Sequence, residues 1–177
     1  MVSQRLSRFF LRLLSVAIGL FFVFGIREKV FGKGEPDLAE KILIEKSGRR
    51  LTLIRAGKPL RVYHVSFGTH RIGPKEREGD GKTPEGLYVI DRKIMHSDFH
   101  RALHISYPDA ADRTHAAALG VSPGGDIMIH GLKNGLGWLG PLQRFSDWTQ
   151  GCIAVTNAEI DEIRAMVNEG TAVEIVP

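Results

Sequence analysis

Hydrophobic and polar positions alternate in short blocks along most of this chain. Ile42 and Ile44 share one face of a strand, and Ser47-Gly48 then turns the chain. Leu51 and Leu53 repeat the pattern before a turn at Gly57-Lys58-Pro59, and a third strand covers residues 62–67. Three strands joined by tight turns predict an antiparallel meander. Residues 68–84, rich in glycine and charge, break the alternation and read as a long functional loop. Strand character resumes at Tyr88-Val89-Ile90 and at residues 103–107. Asp109 or Asp112 is placed to cap a short helix through residues 116–119, with Gly120 as its stop. Ile127-Met128-Ile129 is a buried strand that leads into His130. Thr156 and Glu159 have capping-box spacing, and Ile160, Ile163 and Val167 give the helix behind them an apolar face. Gly170 ends that helix, and residues 172–176 form a last strand. The pattern predicts a mostly β domain with two short helices.

The first 34 residues follow a different rule. Arg5, Arg8 and Arg12 precede an uncharged run over residues 13–26, and the apolar side chains there occupy every face. Fourteen residues suit the core of a signal peptide and are short for a membrane span. No small-residue cleavage site follows, since Arg27-Glu28-Lys29 comes at once, so an uncleaved anchor is favoured over a cleaved signal. Gly32-Lys33-Gly34-Glu35-Pro36 reads as the linker. The predicted organisation is therefore an anchor over residues 1–34 and one folded domain over 35–177. The predicted location is the periplasm, with the N-terminal segment in the inner membrane.

Charge supports this division. The chain has a formal charge of +4, but residues 1–34 carry six basic side chains and one acidic, leaving 18 basic and 19 acidic in the remainder. A nearly neutral domain lacks the basic stripe that nucleic acid requires. One cysteine excludes an internal disulfide, and an unpaired thiol in an exported protein is either an inert buried hydrophobe or a reactive group.

Cys152 stands where the loop Thr149-Gln150-Gly151 enters an apolar strand, a position that fixes a sulfur and leaves it reachable. Gly151 permits close backbone approach, so N–H groups beside Cys152 can serve as an oxyanion hole. Attack requires a nearby base. Of the seven histidines, His130 is the best placed, because it also follows a short apolar strand and precedes Gly131. Each feature has a plainer reading: His130 as a hydrogen-bonded structural residue, Trp138 and Trp148 as loop anchors, and Arg49-Arg50 and Lys75-Glu76-Arg77-Glu78 as solvated charge. A zinc site of His104, His130 and Cys152 has no ligand-pair spacing to support it.

Four ordered motifs go further: Gly79-Asp80-Gly81-Lys82-Thr83-Pro84-Glu85-Gly86-Leu87-Tyr88, Leu103-His104-Ile105-Ser106-Tyr107-Pro108, Ile127-Met128-Ile129-His130-Gly131 and Asp147-Trp148-Thr149-Gln150-Gly151-Cys152-Ile153. Together they resemble the L,D-transpeptidase catalytic-domain (YkuD-type) family, over roughly residues 38–177. The resemblance implies a mostly β, sandwich-like fold with Cys152 and His130 facing one cleft. It implies a cysteine-dependent acyltransferase acting on peptidoglycan stem peptides through a thioester. In that reaction His130 is the base, the Gly131 carbonyl orients it, and Gly151 and Cys152 donate oxyanion N–H groups. Tyr107, Trp148, Thr149 and Gln150 would contact substrate, and no metal or organic cofactor is implied.

Two positions depart from the usual family pattern: Gln150 stands where many members carry His, and Ala154 where many carry Arg. Both departures fall in the substrate-facing segment and leave the acceptor open. An amine acceptor gives cross-linking; water gives a carboxypeptidase or a hydrolase that detaches wall-linked protein. A reading of another class is a non-catalytic wall-binding module that keeps only the shell.

Overall fold

The computed structural model describes residues 37–177. The predicted anchor and the whole of the linker lie outside the described residues. Among those described, no helix is long and apolar enough to cross a membrane.

Strands β1 (Lys41–Glu45), β2 (Arg50–Arg55) and β3 (Lys58–His64) form the predicted antiparallel meander. The turn between β2 and β3 falls at Ala56-Gly57, so Lys58 and Pro59 already belong to β3. They are followed by β4 (Gly86–Ile94), β5 (Ala102–Ile105), β6 (Met128–His130), β7 (Ile153–Ala154) and β8 (Ala172–Val176). The eight strands make one sheet in the order β3-β2-β1-β8-β4-β5-β6-β7, with parallel pairs at β1–β8 and β6–β7.

The sandwich-like arrangement expected from the sequence is in fact this single sheet curled on itself. Strand β4 belongs to both halves, pairing β8 on one side and β5 on the other, and a register shift lies between Ile90 and Arg92. Such a bulge bends a strand and sharpens its twist. The curl closes beyond β3, where Ser66 and Ala154 of β7 exchange two backbone hydrogen bonds of 3.0 and 2.8 Å. Both halves line one core: Ile42, Ile44, Leu51 and Leu53 meet Leu103, Ile105, Ile129 and Ile153.

Helix α1 (Ala110–Ala118) starts at a capping box in which both predicted candidates take part, Asp109 as the cap and Asp112 three residues on. Helix α2 (Asn157–Met166) has the expected Thr156–Glu159 box and buries Ile160 and Ile163 against the sheet. It ends at Met166, because Val167 is already extended. Gly170 therefore belongs to the turn before β8, not to the helix stop. A third helical element is a 3-10 segment, Gly137–Phe145, broken at Gly140 ahead of Pro141.

The loop over residues 68–84 is held by buried charge. Lys46, only 2% exposed, donates to the carbonyls of Gly73 (2.6 Å) and Thr83 (3.0 Å) and to Glu85 Oε1 (2.7 Å). Burial pulls its ammonium below the usual lysine range, against the opposing pull of Glu85. Lys75, read from the sequence as solvated, is buried and paired with Asp80 at 2.8 Å. Burial resists ionisation of Asp80, but Lys75 and the N–H groups of Glu76, Lys82 and Arg77 outweigh it and hold the carboxyl at about 2.

Removing the Lys46 ammonium leaves Glu85 and two carbonyls without their partner. Lys46→Met is expected to lower unfolding stability by about 3 kcal/mol in a denaturant melt. A loss below about 1 kcal/mol would show that water replaces the clamp.

Candidate active site

The parallel ladder between β6 and β7 sets Ile129 against Ile153 and His130 against Ala154. Side chains alternate across a strand, so Ile127, Ile129, Ile153 and Val155 point into the core, where all four are found. Met128, His130, Cys152 and Ala154 therefore share the opposite face. His130 and Cys152 are diagonal neighbours there, offset by two residues, or roughly 6–7 Å of strand rise.

The His130 imidazole is buried between aromatic rings. Phe99 lies 4.2 Å away, centre to centre, and Trp148 meets it edge-on at 5.8 Å. Its Nδ1 lies 2.6 Å from the Gly131 carbonyl oxygen. A carbonyl only accepts, so Nδ1 carries the proton and Nε2 keeps a lone pair. Burial pushes the imidazole below its ordinary value, partly offset by that hydrogen bond, so the ring rests neutral. Gly131 can be nothing larger: a Cβ would stand 2.6 Å from the His100 carbonyl oxygen and 2.8 Å from Asn157 Oδ1.

The Cys152 sulfur lies 3.5 Å from the Asp126 carbonyl oxygen. Burial raises the thiol above its ordinary range; the Met128 N–H and the Lys75 charge pull it down, and the Asp126 charge adds to the rise. The resting pair is thus thiol and imidazole, not thiolate and imidazolium.

The loop before Cys152 is fixed from beneath. Asp147 accepts the Phe67 N–H (2.9 Å) and pairs with Arg49 (2.7 Å) and Arg71 (3.4 Å). The buried Thr149 hydroxyl donates to the Cys152 carbonyl (2.7 Å) and accepts the Gly151 N–H (3.1 Å). Gly151 has φ of +125°, and a Cβ would meet the Lys82 carbonyl oxygen at 2.5 Å. The loop over residues 68–84 is therefore packed directly on the backbone beside the sulfur.

Several predicted contacts stand elsewhere. Tyr107 is in the core, edge-on to Tyr88, and its hydroxyl is spent on the Pro123 carbonyl at 2.9 Å. It offers a substrate no surface. Thr149 is likewise turned inward, and the Gly151 N–H is already engaged at rest. Trp148 does border the cleft, its Nε1 held by Gln143 Oε1 at 3.0 Å, and Gln150 is exposed. Beside Trp148 lies a cavity of about 370 Å³ lined by Leu132, Leu136, Leu139 and Leu142. Ala154 is fully buried under the 3-10 segment. No group of three or more metal-binding side chains gathers among the described residues, so His104, His130 and Cys152 do not converge as a zinc site would require. Sequence reasoning missed Phe99, Asp126 and the bracing roles of Asp147 and Thr149. Asp147 and Thr149 were visible in the motif, but Phe99 and Asp126 come from other loops and carried no local signal.

The chain is similar to several known proteins. YafK of Escherichia coli K12 is 33% identical over 128 residues, covering 69% of this chain and 44% of that protein. The chain thus spans less than half the length of the curated relatives it matches. The cell-shape protein Pgp2 of Campylobacter jejuni superposes with a TM-score of 0.57 at 23% identity, over 80% of this chain and 51% of that one. An L,D-transpeptidase fragment from Xylanimonas cellulosilytica gives 0.52 at 18% identity, over 79% and 61%. These likenesses show a shared fold. The profile of the L,D-transpeptidase catalytic domain matches residues 39–175, nearly the whole described chain, and the chain therefore belongs to that family.

Proposed function

We propose that this domain is a peptidoglycan L,D-transpeptidase that works through a thioester on Cys152. The reading rests on the shared face of β6 and β7, where a half-buried thiol stands near an imidazole whose Nδ1–H is fixed by Gly131.

The chemistry follows from two neutral groups. As the sulfur attacks the carbonyl between an L-centre and a D-residue, His130 Nε2 takes the thiol proton. Negative charge collects on the carbonyl oxygen, and the Cys152 N–H is the donor assigned to it. The Gly151 N–H joins only by leaving Thr149 Oγ1. Collapse breaks the C–N bond, the imidazolium returns its proton to the departing amine, and the thioester remains. An incoming amine then attacks the thioester carbonyl. His130 takes the amine's proton and returns it to the sulfur as the thiol leaves.

The apolar cavity next to Trp148 suits the uncharged portion of a donor stem, and Gln150 stands at the exposed rim where an acceptor would arrive. By the N-terminal sequence pattern, the domain works in the periplasm, tethered to the inner membrane. Pgp2 determines helical cell shape, and control of cell shape is the corresponding role for this protein.

Incubating the full chain with purified tetrapeptide muropeptides is expected to yield cross-linked dimers, and Cys152→Ala is expected to yield none. Shortened monomers without dimers would make water the acceptor and the enzyme a hydrolase. Identical products from both proteins would contradict a catalytic role for Cys152.

The two pKa displacements predict a pH profile. His130 must be neutral to act, and its lowered value keeps it so, hence kcat/KM should hold down to pH 6.5 and fall only below it. Iodoacetamide should modify Cys152 slowly at neutral pH, and the rate should still be climbing with pH past the ordinary thiol value of 9.0 before it levels off. Fast, pH-independent alkylation near pH 6 would instead reveal a preformed thiolate.

A further inference from the structure

His104 lies in one of the sequence motifs, yet the proposed chemistry gives it no part. The β5–β6 register sets His104 against Met128 and Leu103 against Ile129. His104, Met128 and Cys152 therefore form one row on the cleft face, while Leu103, Ile129 and Ile153 form the core row behind it. His104 is buried between two carboxylates. Its Nδ1 stands 2.6 Å from Asp91 Oδ1, and its Nε2 stands 3.6 Å from Asp126 Oδ1. Asp91 is turned toward it by the register shift in β4, the re-aiming that bulges provide. Arg92 Nε also stands 4.0 Å from Asp91 Oδ1, and the Lys75 charge acts on Cys152.

Asp126 is the informative partner. Its φ is +54°, a left-handed conformation that a residue with a Cβ adopts only at a cost. Its carboxylate is largely exposed and would be free to turn to water, yet it lies toward His104. Its carbonyl is the acceptor 3.5 Å from the Cys152 sulfur. The far end of the same turn is tied by the Tyr107 hydroxyl to Pro123 and by Glu78 to Ser122.

We propose that His104, braced by Asp91, is a positioning residue that holds Asp126 in its left-handed turn and so keeps the Asp126 carbonyl on the Cys152 thiol. The consequence is a nucleophile that rests with its proton parked in a fixed direction. An acceptor bound to the thiol form keeps the proton on sulfur, so losing it eases ionisation.

The test reads the pH midpoint of Cys152 alkylation by iodoacetamide in the full chain, which needs no peptidoglycan substrate and so is independent of the proposed reaction. His104→Phe is expected to lower the midpoint by about half a pH unit or more. In an Asp126→Gly background, where glycine takes the left-handed turn unaided, the same substitution should cause no further shift. An equal shift in both backgrounds, or none in either, overturns the proposal. If His104→Phe fails to fold, the exposed turn supplies the comparison. Asp126→Ala and Asp126→Gly remove the same charge, and the alanine variant should show the lower midpoint; equal midpoints overturn the proposal.

Discussion

Two short parallel strands, joined by a few backbone hydrogen bonds, determine where a histidine and a cysteine 22 positions apart can meet. A ladder of this kind has a side-chain period of two, so a slip of one residue would send His130 into the core and bring Ile129 to the cleft. The register is guarded on the buried side by Ile129 and Ile153, both fully enclosed, and at the outer edge of β7 by the exchange of hydrogen bonds between Ser66 and Ala154. The same closure that completes the curled sheet therefore also fixes the face that carries His130 and Cys152. Stability and chemistry share one constraint.

Around that face the surroundings differ in kind. Phe99 and Trp148 enclose the imidazole with apolar rings, which lowers its basicity and keeps it neutral. On the sulfur's side stand loop backbone, Asp126 and the buried Lys75–Asp80 pair, opposing charges whose effects on the thiol partly cancel. Burial then decides the outcome, and the sulfur keeps its proton at rest. A protonated thiol is also slower to oxidise than a thiolate.

Local features were legible in the sequence. The β1–β3 meander, the Asp109 cap, the Thr156–Glu159 box and the last strand depend on neighbours within a few positions, and they stand where the pattern put them, except that the third strand runs Lys58–His64 and not over residues 62–67. Nonlocal features were not. The pairing of β1 with β8 and the curl at the β4 bulge arise from contacts more than a hundred residues apart or from a register shift that leaves no composition signal. The 3-10 segment was hidden because Gly137, Gly140 and Pro141 erase helical periodicity. Tyr107 was misread for a similar reason: a tyrosine in a motif looks like a ligand contact until a carbonyl from another loop, Pro123, claims its hydroxyl. Cys152 and His130 were named from local strand-end chemistry and family motifs, but what orders their surroundings, from Lys46 to Thr149, became visible only in three dimensions.

The most direct measurement is the intact mass of the protein, quenched in acid during turnover of a tetrapeptide donor. A covalent intermediate predicts a species heavier by the donor's acyl group, mapping to the peptide that contains Cys152 and absent from Cys152→Ala. Turnover of the donor with no acyl mass on that peptide at any time point would contradict it.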